Sequence, residues 1–530
     1  MKKYIISVLT AAIAIATVSC TAEFKERNTN PEQATEEMLD HDNLRIGSYI
    51  SQMIANVLPS YQNGEDEYGS ASYQVVQGLT GNIFANYEAA SNAGFHQTNE
   101  YNLIADGWVK ALFEDAFVRA AAPWKSINAS RSGSNATAAA LGDVLKVAAL
   151  HRVTDAYGPI PYSQLTSNAQ HLAYDSQEEV YNAMFEDLDN AIEVLTSAAQ
   201  GFGQTKFMEE YDNVFYGDLT KWVQFANTLR LRLALRVAYV KPALYLEQAQ
   251  KAIANPLGFL TENASLHPGA GAWEYPIYVI EYNFNDGDAK AGATIITYMN
   301  AYKDPRRSAY FTAGSDGNYH GVRMGATVND NYPKSALWSK VKCTNSDPLM
   351  WMSGAESYFL LAEHYLRQNN ANMAKTYYED GIRKSFDLWG ANIGSYLNTT
   401  SSVGSYSDPV TSSNSYSTNL TSVSVSWSSQ SSTEGHLEQI ITQKYIAMFP
   451  EGMEAWAEFR RTGYPKVIPT KTNNSNGTID TNTQICRLIY PASEYQANND
   501  NVTEAVSLLN EEAPSGSGDN GGTKLWWDKK

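Results

Sequence analysis

Three cysteines are all that 530 residues contain, and Cys20, Cys343 and Cys486 lie far apart. No CxxC and no Cys/His spacing exists, which excludes the usual structural zinc sites. Cys343 and Cys486 either form one disulfide in an oxidising compartment or stay buried and reduced. Positive charge is also scarce. Lys and Arg number 39 against 57 Asp and Glu, a net −18, which disfavours nucleic acid as a partner. No GxSxG, HExxH or Walker A string occurs, so the common catalytic classes lack support. A glycoside hydrolase would need two facing carboxylates, which sequence alone does not exclude.

Long apolar runs are rare too. The single one, Ile5 to Val18, follows Lys2 and Lys3 and ends in Ser19 and Cys20. It is shorter than the roughly 20 residues a spanning helix needs and suits a signal-peptide core. The ending resembles a bacterial lipobox, with Thr17 where Leu is commonest; cleavage by ordinary signal peptidase is the alternative. The expectation is a signal peptide over 1–19, a lipidated tether over 20–40 and a single domain over 41–530, with Cys20 as the acylated residue. Two or three acyl chains anchor durably, at about 0.8 kcal/mol per buried CH₂.

What is abundant is helical periodicity. "DSQEEVYNAMFEDLDNAIEVL" sets Tyr181, Met184, Leu188, Ile192 and Leu195 on one face, after a Ser176/Glu179 capping box. "DLTKWVQFANTLRLRLALRVAYV" carries two stripes: Trp222, Phe225, Ala226, Leu229 and Leu233, then Leu231, Leu235 and Ala238. A helix apolar on two faces lies between layers, so Arg230, Arg232 and Arg236 are read as partners of acids. "SGAESYFLLAEHYLRQNNANMAKTYYEDGIRKSF" reads as a helical hairpin of tetratricopeptide type, with Ser353 and Glu356 as a second capping box. Such hairpins do not recur at one period, so a plain solenoid is excluded.

Between them lie insertions near 59–102, 255–347 and 398–433, the last almost pure Ser and Thr and hairpin-like. Aromatics are plentiful, with 34 Tyr and 11 Trp. Flat rings stack on sugar CH faces, and equally they fill cores. Tyr61, Asn63, Asp66, Tyr68 and Tyr73 form one candidate group, and Trp273, Glu274, Tyr275, Tyr282, Asn283, Phe284 and Asn285 another. The candidate ligand-binding aromatics are Tyr61, Tyr68, Tyr73, Trp273, Tyr275, Tyr282 and Phe284. "NFNDGD", from Asn283 to Asp288, lacks the closing Glu of an EF-hand and reads as a turn.

"VTDAYGPIPYSQ", Val153 to Gln164, resembles the signature of SusD/RagB-type outer-membrane lipoproteins. "KDPRRSAYF", "AESYFLLAEHYLR", "EAWAEFRRTGYP", "RLIYPASEYQANNDN" and "LWWD" follow in that family's order. The resemblance implies a mainly α fold: tetratricopeptide-like hairpins as scaffold, with a loop-rich irregular region of short strands bearing the ligand site. It implies a lipid-anchored protein of the outer membrane that takes a nutrient, usually an oligosaccharide, and passes it to a SusC-type TonB-dependent transporter. It implies no catalysis and no cofactor. A peptide or another nutrient is the alternative cargo. The signature motifs themselves read as corners. Gly158, Pro159 and Pro161 end one helix, and Arg460, Arg461, Gly463 and Pro465 end another. A cationic site for acidic sugars is the alternative reading of the two arginines.

Overall fold

A computed structural model describes residues 43–59, 61–62, 72–203, 205–269, 273–284, 287–329, 331–512 and 518–530. Cys20, the signal peptide over 1–19, the tether over 20–40, Asn63, Asp66, Tyr68 and Asn285 lie outside them. The chain is mainly α, as expected. The principal helices are α1 (Ala136–Tyr157), α2 (Gln177–Phe202), α3 (Leu219–Arg236), α4 (Pro242–Ala254), α5 (Glu356–Arg367), α6 (Ala371–Leu388), α7 (Thr433–Ala447) and α8 (Gly452–Thr462). Successive helices pack as hairpins, α1 on α2, α2 on α3, α3 on α4 and α5 on α6.

Local sequence accounts for these elements. Ser176 Oγ accepts from Glu179 N at 3.3 Å, and the Glu179 carboxylate accepts from Ser176 N at 2.9 Å, so the first capping box forms. The stripe of Tyr181, Met184, Leu188, Ile192 and Leu195 is buried. Burying each such side chain stabilises by roughly 1.5–3 kcal/mol relative to exposure. Both stripes of α3 are buried as well, and its arginines meet acids: Arg230 pairs with Asp189, Arg232 with Glu356 and Glu451, and Arg236 with Asp155, Glu454 and Glu458.

The second expected capping box does not form. Helix α5 starts at Glu356, without a side-chain cap. The Glu356 carboxylate turns inward to Arg232, because a buried guanidinium needs a counter-charge, and the Ser353 N–H that it would have capped donates to Glu451 at 2.8 Å. The corner after α1 does form. Gly158 adopts φ +95°, which an L side chain rarely tolerates. Asp155 and Tyr157, just before it, tie the corner to the rest of the chain. Asp155 accepts from Tyr181 Oη (2.5 Å) and Trp527 Nε1 (2.9 Å). The Tyr157 carbonyl is taken by Arg487, at 3.0 and 2.8 Å. Trp526 and Trp527 thus dock the chain's end against this corner, and both are buried.

Among the described residues, three two-stranded antiparallel sheets complete the irregular region: β1 (Tyr61–Gln62) with β4 (Trp273–Glu274), β2 (Glu88–Ala90) with β5 (Ala289–Ala291), and β3 (Ala264–Leu266) with β6 (Leu349–Met352). The insertion near 59–102 is less loop-like than its composition. Gln74–Asn82 is a buried helical turn with π-type hydrogen bonding. Its glycines suggest a loop in sequence but serve packing in the fold. A Cβ on Gly81 would stand 2.7 Å from the backbone N of Met453, so Gly is there for close approach to α8 rather than for a loop. The Ser/Thr-rich insertion pairs Val403 with Thr421 and Tyr406 with Tyr416, hairpin fashion. Cys343 and Cys486 are both free thiols. Residues Tyr49–Lys530 form one compact unit.

Candidate functional site: an aromatic face over a buried carboxyl pair

Tyr61 of the first loop group and Trp273 and Glu274 of the second are more than 200 positions apart in sequence, and β1 and β4 bring them together. Tyr61 stands opposite Glu274, and Gln62 opposite Trp273. Immediately after β4 the chain turns into a short helix, Pro276–Tyr278, continued by a π-type turn over Val279–Asn283. On such a turn, residues four apart share a face. Tyr278 and Tyr282 use this spacing and stack, with ring centroids 5.0 Å apart and planes 23° from parallel. Both rings are half-buried, as are Trp273 and Phe284, and Asn283 between them is exposed.

The platform is held from behind. Tyr282 Oη donates to the Val341 carbonyl at 2.6 Å, and Trp273 Nε1 donates to the Asp347 carbonyl at 3.1 Å. Lys340 Nζ lies 4.9 Å from the Tyr282 ring centroid and donates to the Glu281 carbonyl at 3.1 Å. These bonds fix the rings, so a ligand stacking there need not order them, which lowers the cost of binding.

Two aromatic candidates are corrected. Tyr73 and Tyr275 are 1% and 6% exposed, so their rings are core, not platform. Each stands immediately before a helical turn, Gln74–Asn82 and Pro276–Tyr278. Tyr332 and Trp338 are likewise core and pack with Ala89, Val322 and Ala326. Seven of the eleven tryptophans, at 124, 222, 338, 351, 456, 526 and 527, are buried, so most of the aromatic richness belongs to packing. Tyr278 and Lys340 were absent from the sequence-based set. The four-residue spacing of Tyr278 and Tyr282 was the available signal for the first, and the second needed the fold.

Beneath the platform, Glu88 and Glu281 are buried carboxyls in contact. Asn82 Nδ2 donates to Glu88 at 2.9 Å, while Glu281 faces Glu88, with Lys290 and Lys340 as the nearby cations. Burial raises the Glu88 pKa to about 7, and burial together with the Glu88 charge raises Glu281 well above the usual range. A shared proton is the chemical consequence. Asp288, the last residue of "NFNDGD", accepts from Gln74 at 2.8 Å and Asn92 at 3.0 Å. Among the described residues no group of three or more His, Cys, Asp or Glu is placed to hold a metal ion, and no helix is long and apolar enough to cross a membrane.

Several solved structures share the fold. A SusD homologue from Bacteroides uniformis is 37% identical, with a TM-score of 0.84 over 92% of this chain and 100% of its own. A chitin-binding SusD homologue from Flavobacterium johnsoniae is 35% identical, with a TM-score of 0.83 over 91% of this chain and 98% of its own. Among curated sequences, a UPF0182 protein of Mycobacterium ulcerans is 26% identical over 199 residues; the match takes in 33% of this chain and spans only 20% of that protein's length. The family described as SusD-like, Susd and RagB outer membrane lipoprotein, matches residues 26–528, and the chain belongs to that family.

Proposed function

We propose that this protein is a lipid-anchored outer-membrane protein that captures an oligosaccharide on the face made by Trp273, Tyr278, Tyr282 and Phe284, and delivers it to a SusC-type TonB-dependent transporter. The observation that carries the reading is the Tyr278–Tyr282 stack, half-buried and locked from behind. It supplies the flat apolar surface that the CH face of a pyranose needs, with the exposed Asn283 amide beside it for hydroxyls. Membership of a family of outer membrane lipoproteins supports the anchor through Cys20, and the chitin-binding relative supports a glycan as cargo. Tyr61 is brought beside the same proposed face by the β1–β4 pairing.

The reading is one of binding without chemistry. The buried Glu88 and Glu281 carboxyls touch each other, whereas glycosidase carboxyls stand about 5–9.5 Å apart with the sugar between them. The test is calorimetric titration of the full chain in detergent with a panel of oligosaccharides and peptides, followed by analysis of the recovered ligand. Saturable binding of one glycan class, returned uncleaved, is the expected result. Cleaved product, or binding of peptides alone, would overturn the reading.

A further inference from the structure

The two arginines of "EFRRTGYP" end in different surroundings. Arg461 is fully paired, with Glu363 and Glu458 on its guanidinium nitrogens. Arg460 has no carboxylate partner. Its Nε donates to the Trp456 carbonyl at 3.3 Å, and its Nη1 to those of Asp155 (2.6 Å) and Cys486 (2.8 Å). It lies over the rings of Trp456 and Trp527, at 3.6 and 4.9 Å from their centroids. Its Nη2 has no hydrogen-bond partner, although the residue is only 5% exposed. A buried cation satisfied by carbonyls alone is costly, and burial lowers its pKa to about 10 despite the nearby charges of Asp155 and Asp528.

Arg460 lines a cleft of about 450 Å³, within the roughly 300–1,000 Å³ of small-molecule sites. The cleft's charged lining is Arg460, Lys466, Lys524 and Lys530 against Asp528 alone, on a chain whose net charge is −18. Lys524 is bonded to Asp528 at 3.2 Å, and Lys530 pairs outward with Glu434. That leaves as cations facing a ligand Arg460 and Lys466, the latter also within electrostatic reach of Glu434 and Glu438. The rest of the lining suits a sugar. Tyr416 offers a ring, and Asn419, Asn482 and Gln484 offer amides. None of these residues belongs to the tyrosine platform.

We propose that this cleft is a second binding site, which takes the carboxylate of a uronic-acid oligosaccharide, with Arg460 and Lys466 as its counter-charges. The site stands independently of the tyrosine face. Arg460→Ala also removes partners from three carbonyls and is a poor first variant, so the test uses the exposed Lys466→Glu. The full chain is titrated with tetragalacturonate and with neutral galactotetraose, at two salt concentrations. The expected result is saturable binding of the uronide, weakened tenfold or more by Lys466→Glu, weakened by added salt, and unchanged by the Tyr278→Ala/Tyr282→Ala double variant. Three results would overturn the proposal: equal affinity for the neutral tetramer, indifference to Lys466→Glu, or loss of binding in the tyrosine variant instead. Tighter binding of tetra-aspartate than of the uronide would overturn the saccharide assignment.

Discussion

Arg232 of α3 grips Glu356 of α5 through two nitrogens, Nε at 2.9 Å and Nη2, with neither side chain more than 2% exposed. The same arginine reaches Glu451 at 3.1 Å, and Lys444 reaches Glu356 at 3.3 Å, so one network ties three helices and the turn before α8 together. Burial pushes the Glu356 pKa up, but Arg232 and Lys444 outweigh it and leave the group below its usual range.

Glu356→Ala leaves Arg232 and Lys444 with less counter-charge in the core. Removing one partner of a buried pair typically costs about 3–5 kcal/mol. Urea unfolding of the variant is expected to show a loss of that size with an unchanged slope. A loss near zero would mean that the network is not an essential tie.

Glu88 predicts a pH dependence of the opposite kind. Its carboxyl titrates near 4.5 when unfolded and near 7 when folded. Between those values the folded state holds the proton more tightly. Each rise in pH across that window therefore favours unfolding, and the group's contribution is lost as pH passes 7. Glu88→Gln keeps an acceptor for Asn82 and adds donors for Glu281. Thermal unfolding should show the variant gaining on the wild type between pH 5 and pH 8, by up to about 3 kcal/mol. A constant difference across that range would contradict the shared proton.

The anchor is tested by substitution. Cys20→Ala is expected to move the protein from the membrane fraction to the soluble one without altering its circular dichroism. Continued membrane association in cells without any SusC-type transporter would contradict lipidation at Cys20.

The scaffold was legible because its residues obey one local rule. Tyr181, Met184, Leu188, Ile192 and Leu195 repeat at helical spacing, and all are buried. The arginines of α3 were legible for the same reason, since a helix buried on two faces forces its charges to find partners. The site was harder. Tyr73, Tyr275, Trp273 and Tyr282 look alike in sequence, and only tertiary packing separates the first two, in the core, from the second two, at the surface. Glu88 and Glu281 meet across almost two hundred positions because β2 pairs with β5, and no spacing announces that. Gly81 serves close contact with α8, and in sequence such a glycine is indistinguishable from one that serves a turn.

The most direct test of the account is titration of the oligosaccharide that binds the wild type against Tyr282→Ala. That substitution deletes one half of the stack and the bond to Val341 at the surface, away from the core helices. Aromatic platforms contribute on the order of 1 kcal/mol or more to stacking. The account predicts a loss of affinity of at least fivefold with the fold intact. Unchanged affinity in a folded Tyr282→Ala protein would contradict the placement of the glycan on this face.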